Sequence, residues 1–247
     1  MSMKNIINAQ QKKEFGEMVQ HFIDNKGLIS MSLNSFEGYV LNSENLMNII
    51  HSHKARLKDP EHLMDKLIRK YNESVEKKKK FTITKNNLLI KINDLGGFRI
   101  LHLYTKQFEQ IHLELKKIID EQNWKIVEGP SAKTWDDESR EYFESIGVKV
   151  DKSPNMYTSV HYIIKPNSKS GITLEVQVRT LMEEVWGEVD HSINYPHKSD
   201  SSSVREQIKV LARVTSSCSR LVDSIFSTHG EHLTAKSKDK TKKQAKK

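Results

Sequence analysis

Residues 171–191 constrain this chain more than any other stretch, because they read as one strand running directly into one helix. Ile172, Leu174, Val176 and Val178 alternate with Thr173, Glu175, Gln177 and Arg179. A strand here buries one apolar face and lines the other with a carboxylate, an amide and a guanidinium. Thr180 followed by Glu183 has the spacing of a capping box, so a helix starts at once. On that helix Leu181, Val185 and Val189 are expected to face a core, while Glu184, Glu188 and His191 line a second side at i, i+4 and i+7. A half-exposed antiparallel strand followed by a solvated helix would show the same alternation. The two polar faces are therefore a candidate site that the rest of the chain has to support.

With 247 residues the chain can form one generous domain, or a domain with helical additions. Apolar runs fall short of the roughly 20 residues a spanning helix needs, and Met1-Ser2-Met3-Lys4 is not followed by a signal-peptide core. A single cysteine, Cys218, excludes an internal disulfide and fits a reducing compartment. The expectation is a cytoplasmic protein with no membrane partner. The net charge of +8 suggests an anionic partner, yet residues 236–247 carry seven lysines against Asp239, and the body before them is close to neutral. Such a run is expected to be a disordered basic tail at 231–247, able to add sequence-independent affinity for RNA.

Phe15, Met18, Val19, Phe22 and Ile23 form the stripe of an amphipathic helix, whereas residues 27–42 read as a connection. A second helix is expected from Ser43, carrying Leu46, Met47, Ile49 and Ile50. Next comes a basic stretch, Lys54-Ala-Arg-Leu-Lys-Asp-Pro-Glu-His-Leu-Met-Asp-Lys66, with Asp59 as N-cap and Pro60 in the first turn of a helix through 67–80. Cations grouped at a helix start suit phosphate, as they suit a plain solvated helix. Asp94 then precedes Gly96-Gly97 and a strand, a pair that permits a sharp bend and a close approach of ligand to backbone. An acid at such a bend, facing a strand-borne acid, is one way to hold a hard cation, and a plain turn residue is the other reading.

Phe108, Ile111, Leu115, Ile118 and Ile119 mark a helix that can cover a sheet, with His112 in a structural role. Residues 128–156 are polar, border the site and include a short helix within 135–146. Asn155–Ile164 reads as the next strand, with Tyr157, Ser159 and His161 on one face. Residues 165–171 turn it into the opening strand as an antiparallel hairpin, which makes the two polar faces neighbours. After His191 a break at Tyr195-Pro196 and the serines of 199–203 lead to a long helix carrying Val204, Ile208, Leu211, Leu221, Val222, Ile225 and Phe226. That helix packs on the domain or forms the seam of a homo-oligomer.

Glu-Val-Gln-Val-Arg-Thr180 with Trp186, Glu188 and His191 resembles the signature of the RelA/SpoT-type synthetase domain, a family that moves pyrophosphate from ATP to a nucleotide 3′-hydroxyl. Arg56, Lys58 and Lys66 match the donor loop Arg-x-Lys-x-x-x-Ser-x-x-x-Lys, with His62 where the family has serine. Asp94-Leu-Gly-Gly-Phe-Arg99 is similar to Asp-Leu-x-Gly-x-Arg, and Tyr157-x-Ser-x-His161 to the acceptor strand, with Asn155 also in place. Where the family often has a further arginine, only Lys106 is available. The resemblance covers residues 43–226 or so and rests on four motifs in family order.

It implies an α/β (α+β) fold, a nucleotidyltransferase-like mixed sheet flanked by helices, with a helical extension at 1–42, the synthetase domain at 43–198 and a C-terminal helix at 199–230. It implies Mg2+ on Asp94, with Glu175 as second ligand or as base. Arg56, Lys58, His62, Lys66 and Arg99 would serve ATP, while Asn155, Tyr157, His161, Gln177 and Arg179 would serve the acceptor GTP or GDP. The His-Asp dipeptide of the hydrolase domain in bifunctional relatives is absent from this chain, so a synthetase alone is expected. Two alternatives stay open: a toxic relative that pyrophosphorylates the tRNA 3′ end, with an antitoxin as partner, and an inactive nucleotide- or RNA-binding regulator.

Overall fold

The computed structural model describes residues 7–194 and 199–244; Met1–Lys4, the Tyr195-Pro196 break and the last lysines, Lys246 and Lys247, lie outside the described residues. In chain order the strands are β1 (Ser52–Leu57), β2 (Gly96–His102), β3 (Lys125–Thr134), β4 (Lys149–Lys152), β5 (Ser159–Lys165) and β6 (Leu174–Thr180). They form one six-stranded sheet in the order β1-β2-β6-β5-β3-β4. β2 with β6 and β3 with β4 are parallel, and the other neighbours are antiparallel, so the sheet is mixed and β5–β6 is the expected hairpin.

The helices are α1 (Ala9–Asp24), α2 (Lys26–Leu41), α3 (Glu44–Ile49), α4 (Pro60–Glu76), α5 (Leu88–Lys91), α6 (Phe108–Glu121), α7 (Asp137–Ser145), α8 (Leu181–Asn194) and α9 (Ser202–Gln244). α2 overturns the reading of 27–42 as a connection. Its Ile29, Leu33, Phe36 and Val40 are buried at i, i+4, i+7 and i+11, and packing that stripe outweighs the poor helix propensity of Gly27, Gly38 and the intervening Ser and Asn. Phe36 meets Phe98 edge-on with centroids 5.2 Å apart. α6 buries Phe108, Ile111, Leu115, Ile118 and Ile119 as expected, and its His112 ring meets the Tyr162 hydroxyl at 2.9 Å, a structural contact.

Three further readings are corrected. Gly96 and Gly97 open β2 instead of forming a bend; a Cβ on Gly96 would stand 2.7 Å from Leu174 Cδ2 and 2.9 Å from Ile29 Cγ2, so this glycine serves close packing. β5 begins at Ser159, leaving Asn155 on a turn and Tyr157 in the irregular stretch before the strand. On α8 the buried residues are Glu183, Glu184 and Trp186, while Val185 is 47% exposed; the buried Arg179 and half-buried Arg99 beneath the helix draw Glu184 inward.

α9 continues helically through Gln244, past the expected end at 230. Its inward face is Ile208, Ala212, Thr215, Ser216 and Ser219, whereas Leu221 and Ile225 are exposed. Small residues let this helix approach the body closely. Phe226 stacks on Tyr104 at 4.3 Å, and the Lys106 N–H donates to Asp223 at 3.0 Å, so Lys106 belongs to the α9 contact. Among the described residues no helix is long and apolar enough to cross a membrane.

Candidate active site

The sheet register assembles the site. Lys54 lies opposite Arg99, Arg99 opposite Gln177, and Gln177 opposite His161, in a row across β1, β2, β6 and β5. One step along, Arg56, Gly97 and Glu175 form the neighbouring row. Residues in register share a face, so four strands present their polar side chains together while Phe98, Ile100, Val176 and Tyr162 fill the core behind them.

Asp94 precedes β2 at the lysine side of this face. Lys58 Nζ donates to its Oδ2 at 2.9 Å, and Lys66 Nζ lies 2.7 Å from Oδ1. Burial would raise the Asp94 carboxyl, but the two lysines outweigh it and hold the group down at about 2. Burial lowers Lys58 in turn, opposed by Asp94. Lys66 reaches the carboxylate from the second turn of α4, whose start is capped by Asp59: its carboxylate accepts from the Glu61 and His62 N–H groups at 2.8 and 3.2 Å. Those two donors are therefore not offered to a phosphate. The His62 ring lies 5.8 Å from that of His191, which joins α4 to the far end of α8.

Glu175 has both oxygens engaged, one by His161 Nδ1 at 3.1 Å and the other by Gln177 Nε2 at 2.9 Å. Burial pushes its carboxyl up and Asp94 adds repulsion, yet the His161 and Gln177 hydrogen bonds leave it below the ordinary range. Glu175 and Asp94 line one small recess together with Lys54, Arg56 and Arg99. Among the described residues no group of three or more His, Cys, Asp or Glu is poised to hold a metal ion. Two facing carboxylates still fit a hard divalent cation that takes its other ligands from substrate phosphates and water.

The recess opens on a cleft of about 650 Å³. Asn155 and Tyr157 line it; the Tyr157 hydroxyl reaches Gln177 Oε1 at 3.5 Å, and its ring lies 5.7 Å from the Arg179 guanidinium. Arg179 is only 5% exposed and pairs with Glu184. A Cβ on Gly187 would come within 2.8 Å of Arg179 Nη1, so a side chain there would press on this pair. Arg99 donates to Glu184 at 2.6 Å and to Glu188 at 2.9 Å. Arg99 and Arg179 thus form the floor of the cleft, already charge-paired, instead of free phosphate grips.

Of the residues that line the cleft, Arg205 and Lys209 were not singled out by sequence reasoning, and Lys54 and Trp186 were named only within the basic stretch and the signature, without a role of their own. Lys54 was legible in the period-two spacing of Lys54, Arg56 and Lys58. Tertiary packing brings Arg205 and Lys209 to the wall that Trp186 also lines, where Trp186 Nε1 donates to the Ile208 carbonyl at 3.1 Å.

Residues 55–200 match the profile of the region found in RelA/SpoT proteins. Over 179 residues the chain is 25% identical to the GTP pyrophosphokinase YwaC of Bacillus subtilis (strain 168), spanning 68% of this chain and 72% of that one. Its fold is similar to a GTP pyrophosphokinase family protein from Streptococcus pneumoniae, with TM-score 0.56, 16% identity, and 92% of this chain and 97% of that one covered. It is also similar to small alarmone synthetase 1 of Bacillus subtilis bound to its product pppGpp, with TM-score 0.53, 16% identity, and 87% and 97% covered.

Proposed function

The chain belongs to the RelA/SpoT family, and we propose that it is a GTP pyrophosphokinase that transfers the β,γ-pyrophosphate of ATP to the 3′-hydroxyl of GTP or GDP, making (p)ppGpp. The observation that carries this reading is the shared recess of Asp94 and Glu175, with paired lysines on one side and Tyr157 and His161 on the other. A reaction joining two polyanionic nucleotides needs such a divided site.

Lys58 and Lys66 bind the donor phosphates, for which they exchange part of their pairing with Asp94. Arg56 lies at the mouth of both recess and cleft, where its planar guanidinium can stack on the adenine. Tyr157 offers a stacking face to the acceptor base, backed by Arg179. Glu175, kept ionised by His161 and Gln177, receives the proton of the attacking hydroxyl. The 3′-oxygen bonds to the β-phosphorus, the bond from that phosphorus to the α-phosphate oxygen breaks, and AMP leaves. Mg2+, held by Asp94 with Glu175, would supply neutralisation of the charge on the transferring phosphates.

The test offers γ-labelled ATP and Mg2+ with GDP, GTP, ATP or deacylated tRNA separately. Label on GDP or GTP supports the proposal. Label on tRNA alone would make the protein a translation-blocking toxin, and label on none would make it a nucleotide-binding regulator.

A further inference from the structure

We propose that Arg205 and Lys209, on the first turns of α9, read the 5′-phosphates of the acceptor and so restrict it to nucleosides carrying a free 5′-di- or triphosphate. This inference rests on the pyrophosphokinase reading.

The cleft has to hold two polyanions, and most of its cations are already committed. Arg99 and Arg179 are paired to Glu184, with Glu188 as a second partner of Arg99. Lys54 lies 3.6 Å from Glu188. Lys58 and Lys66 sit with Asp94 at the donor end. Arg205 and Lys209 stand apart from these groups, at i and i+4 on a single helix face, and both line the cleft.

Arg205 is held in place from the cleft wall. Its Nη1 donates to the Ser199 carbonyl at 2.5 Å, the Ser199 N–H donates to Asn194 Oδ1 at 3.0 Å, and Asn194 Nδ2 donates to Asp190 Oδ1 at 2.8 Å. This chain of hydrogen bonds ties the end of α8 to the start of α9. The Ser199 carbonyl takes one donor of a guanidinium that has five, in a fork suited to bidentate phosphate binding. Lys209 pairs with Glu206 at 2.6 Å, an exposed pair of the kind that contributes little and is readily exchanged. The Trp186–Ile208 hydrogen bond fixes the same turn of α9, and the Trp186 ring lies 6.4 Å from that of Tyr157. A base stacked on Tyr157 therefore has a phosphate-binding wall at a set position. Both cations follow the region matched by the family profile, which ends at residue 200.

The test measures KM for GTP, GDP, GMP and guanosine with γ-labelled ATP, in wild type and in the Arg205→Gln/Lys209→Gln double variant. In wild type, KM should rise about tenfold from GDP to GMP, the scale of one charge-assisted contact. In the variant GDP should rise to the GMP value, with the KM for ATP and the kcat at saturating acceptor within about twofold. Equal KM values for GDP and GMP in wild type would overturn the proposal while leaving the pyrophosphokinase reading intact, as would a variant that loses GMP and GDP equally. Absence of label on any guanine nucleotide would sink both. If the variant fails to fold, calorimetry on wild type decides: GDP should bind more tightly than GMP and with a steeper salt dependence, and equal affinity and slope would overturn the proposal.

Discussion

Arg99 donates to Glu184 at 2.6 Å across the join between β2 and α8, and the second oxygen of the same carboxylate takes Arg179 from β6. One buried acid therefore fixes two guanidiniums from adjacent parallel strands. This explains why α8 turns Glu184 inward and leaves Val185 in solvent.

Glu184→Gln should destabilise the protein by about 3 kcal/mol, because it leaves the buried Arg179 with a neutral partner and Arg99 with Glu188 as its remaining carboxylate. Glu188→Gln, at a position whose side chain is 52% exposed, should cost less than about 1 kcal/mol. Urea unfolding of the two variants checks the contrast, and equal losses would contradict it.

Asp94→Asn should abolish transfer and also lower the melting temperature, since Lys58 and Lys66 lose their shared carboxylate while only 14% and 19% exposed. ATP without metal should then bind more tightly than in wild type, by up to about tenfold, and restore much of the lost stability. Thermal unfolding with and without ATP measures this; a variant that binds ATP more weakly would count against the assignment of the two lysines.

Gly96→Ala should cost about 1–3 kcal/mol, as its Cβ would overlap Leu174 and Ile29, both buried. A soluble variant with unchanged denaturant midpoint would show that the sheet and α2 pack loosely enough at this point to admit a methyl group.

Glu183 is buried and accepts the Thr158 N–H; burial pushes its carboxyl up to about 8, opposed by Arg179. The folded state thus holds a proton that the unfolded chain has released, so this group lowers stability progressively as pH rises from the unfolded value of 4.5 to about 8. Glu183→Gln should flatten that part of the stability–pH curve and be the more stable protein at pH 8. Melting temperatures from pH 5 to 9 would test it; parallel curves for the two proteins would refute the titration.

The strand–helix unit at 171–191, the β5–β6 hairpin and α6 were legible because each has a clean period of 2 or 3.6. α2 was hidden by glycine and serine in a stripe whose burial decides the matter. Of the residues named from motifs, Arg56, Asp94, Arg99, Glu175 and Gln177 line the recess and Asn155, Tyr157 and Arg179 the cleft, whereas Lys66 reaches Asp94 from α4 and His62 lies on that helix beside His191. What sequence could not show was which charges cancel: that Glu184 occupies Arg99 and Arg179 results from the packing of α8 on the sheet. Arg205 and Lys209 were hidden for the same reason, since the packing of α9 against Trp186 and the end of α8 brings them to the cleft.

The most direct measurement quantifies AMP and labelled guanine nucleotide in the same reaction of γ-labelled ATP, Mg2+ and GDP, for wild type, Asp94→Asn and Glu175→Gln. The account predicts equal amounts of AMP and labelled product in wild type and at least about a thousandfold slower formation of both in either variant. Formation of ADP and free phosphate without labelled GDP, or wild-type rates in either variant, would contradict it.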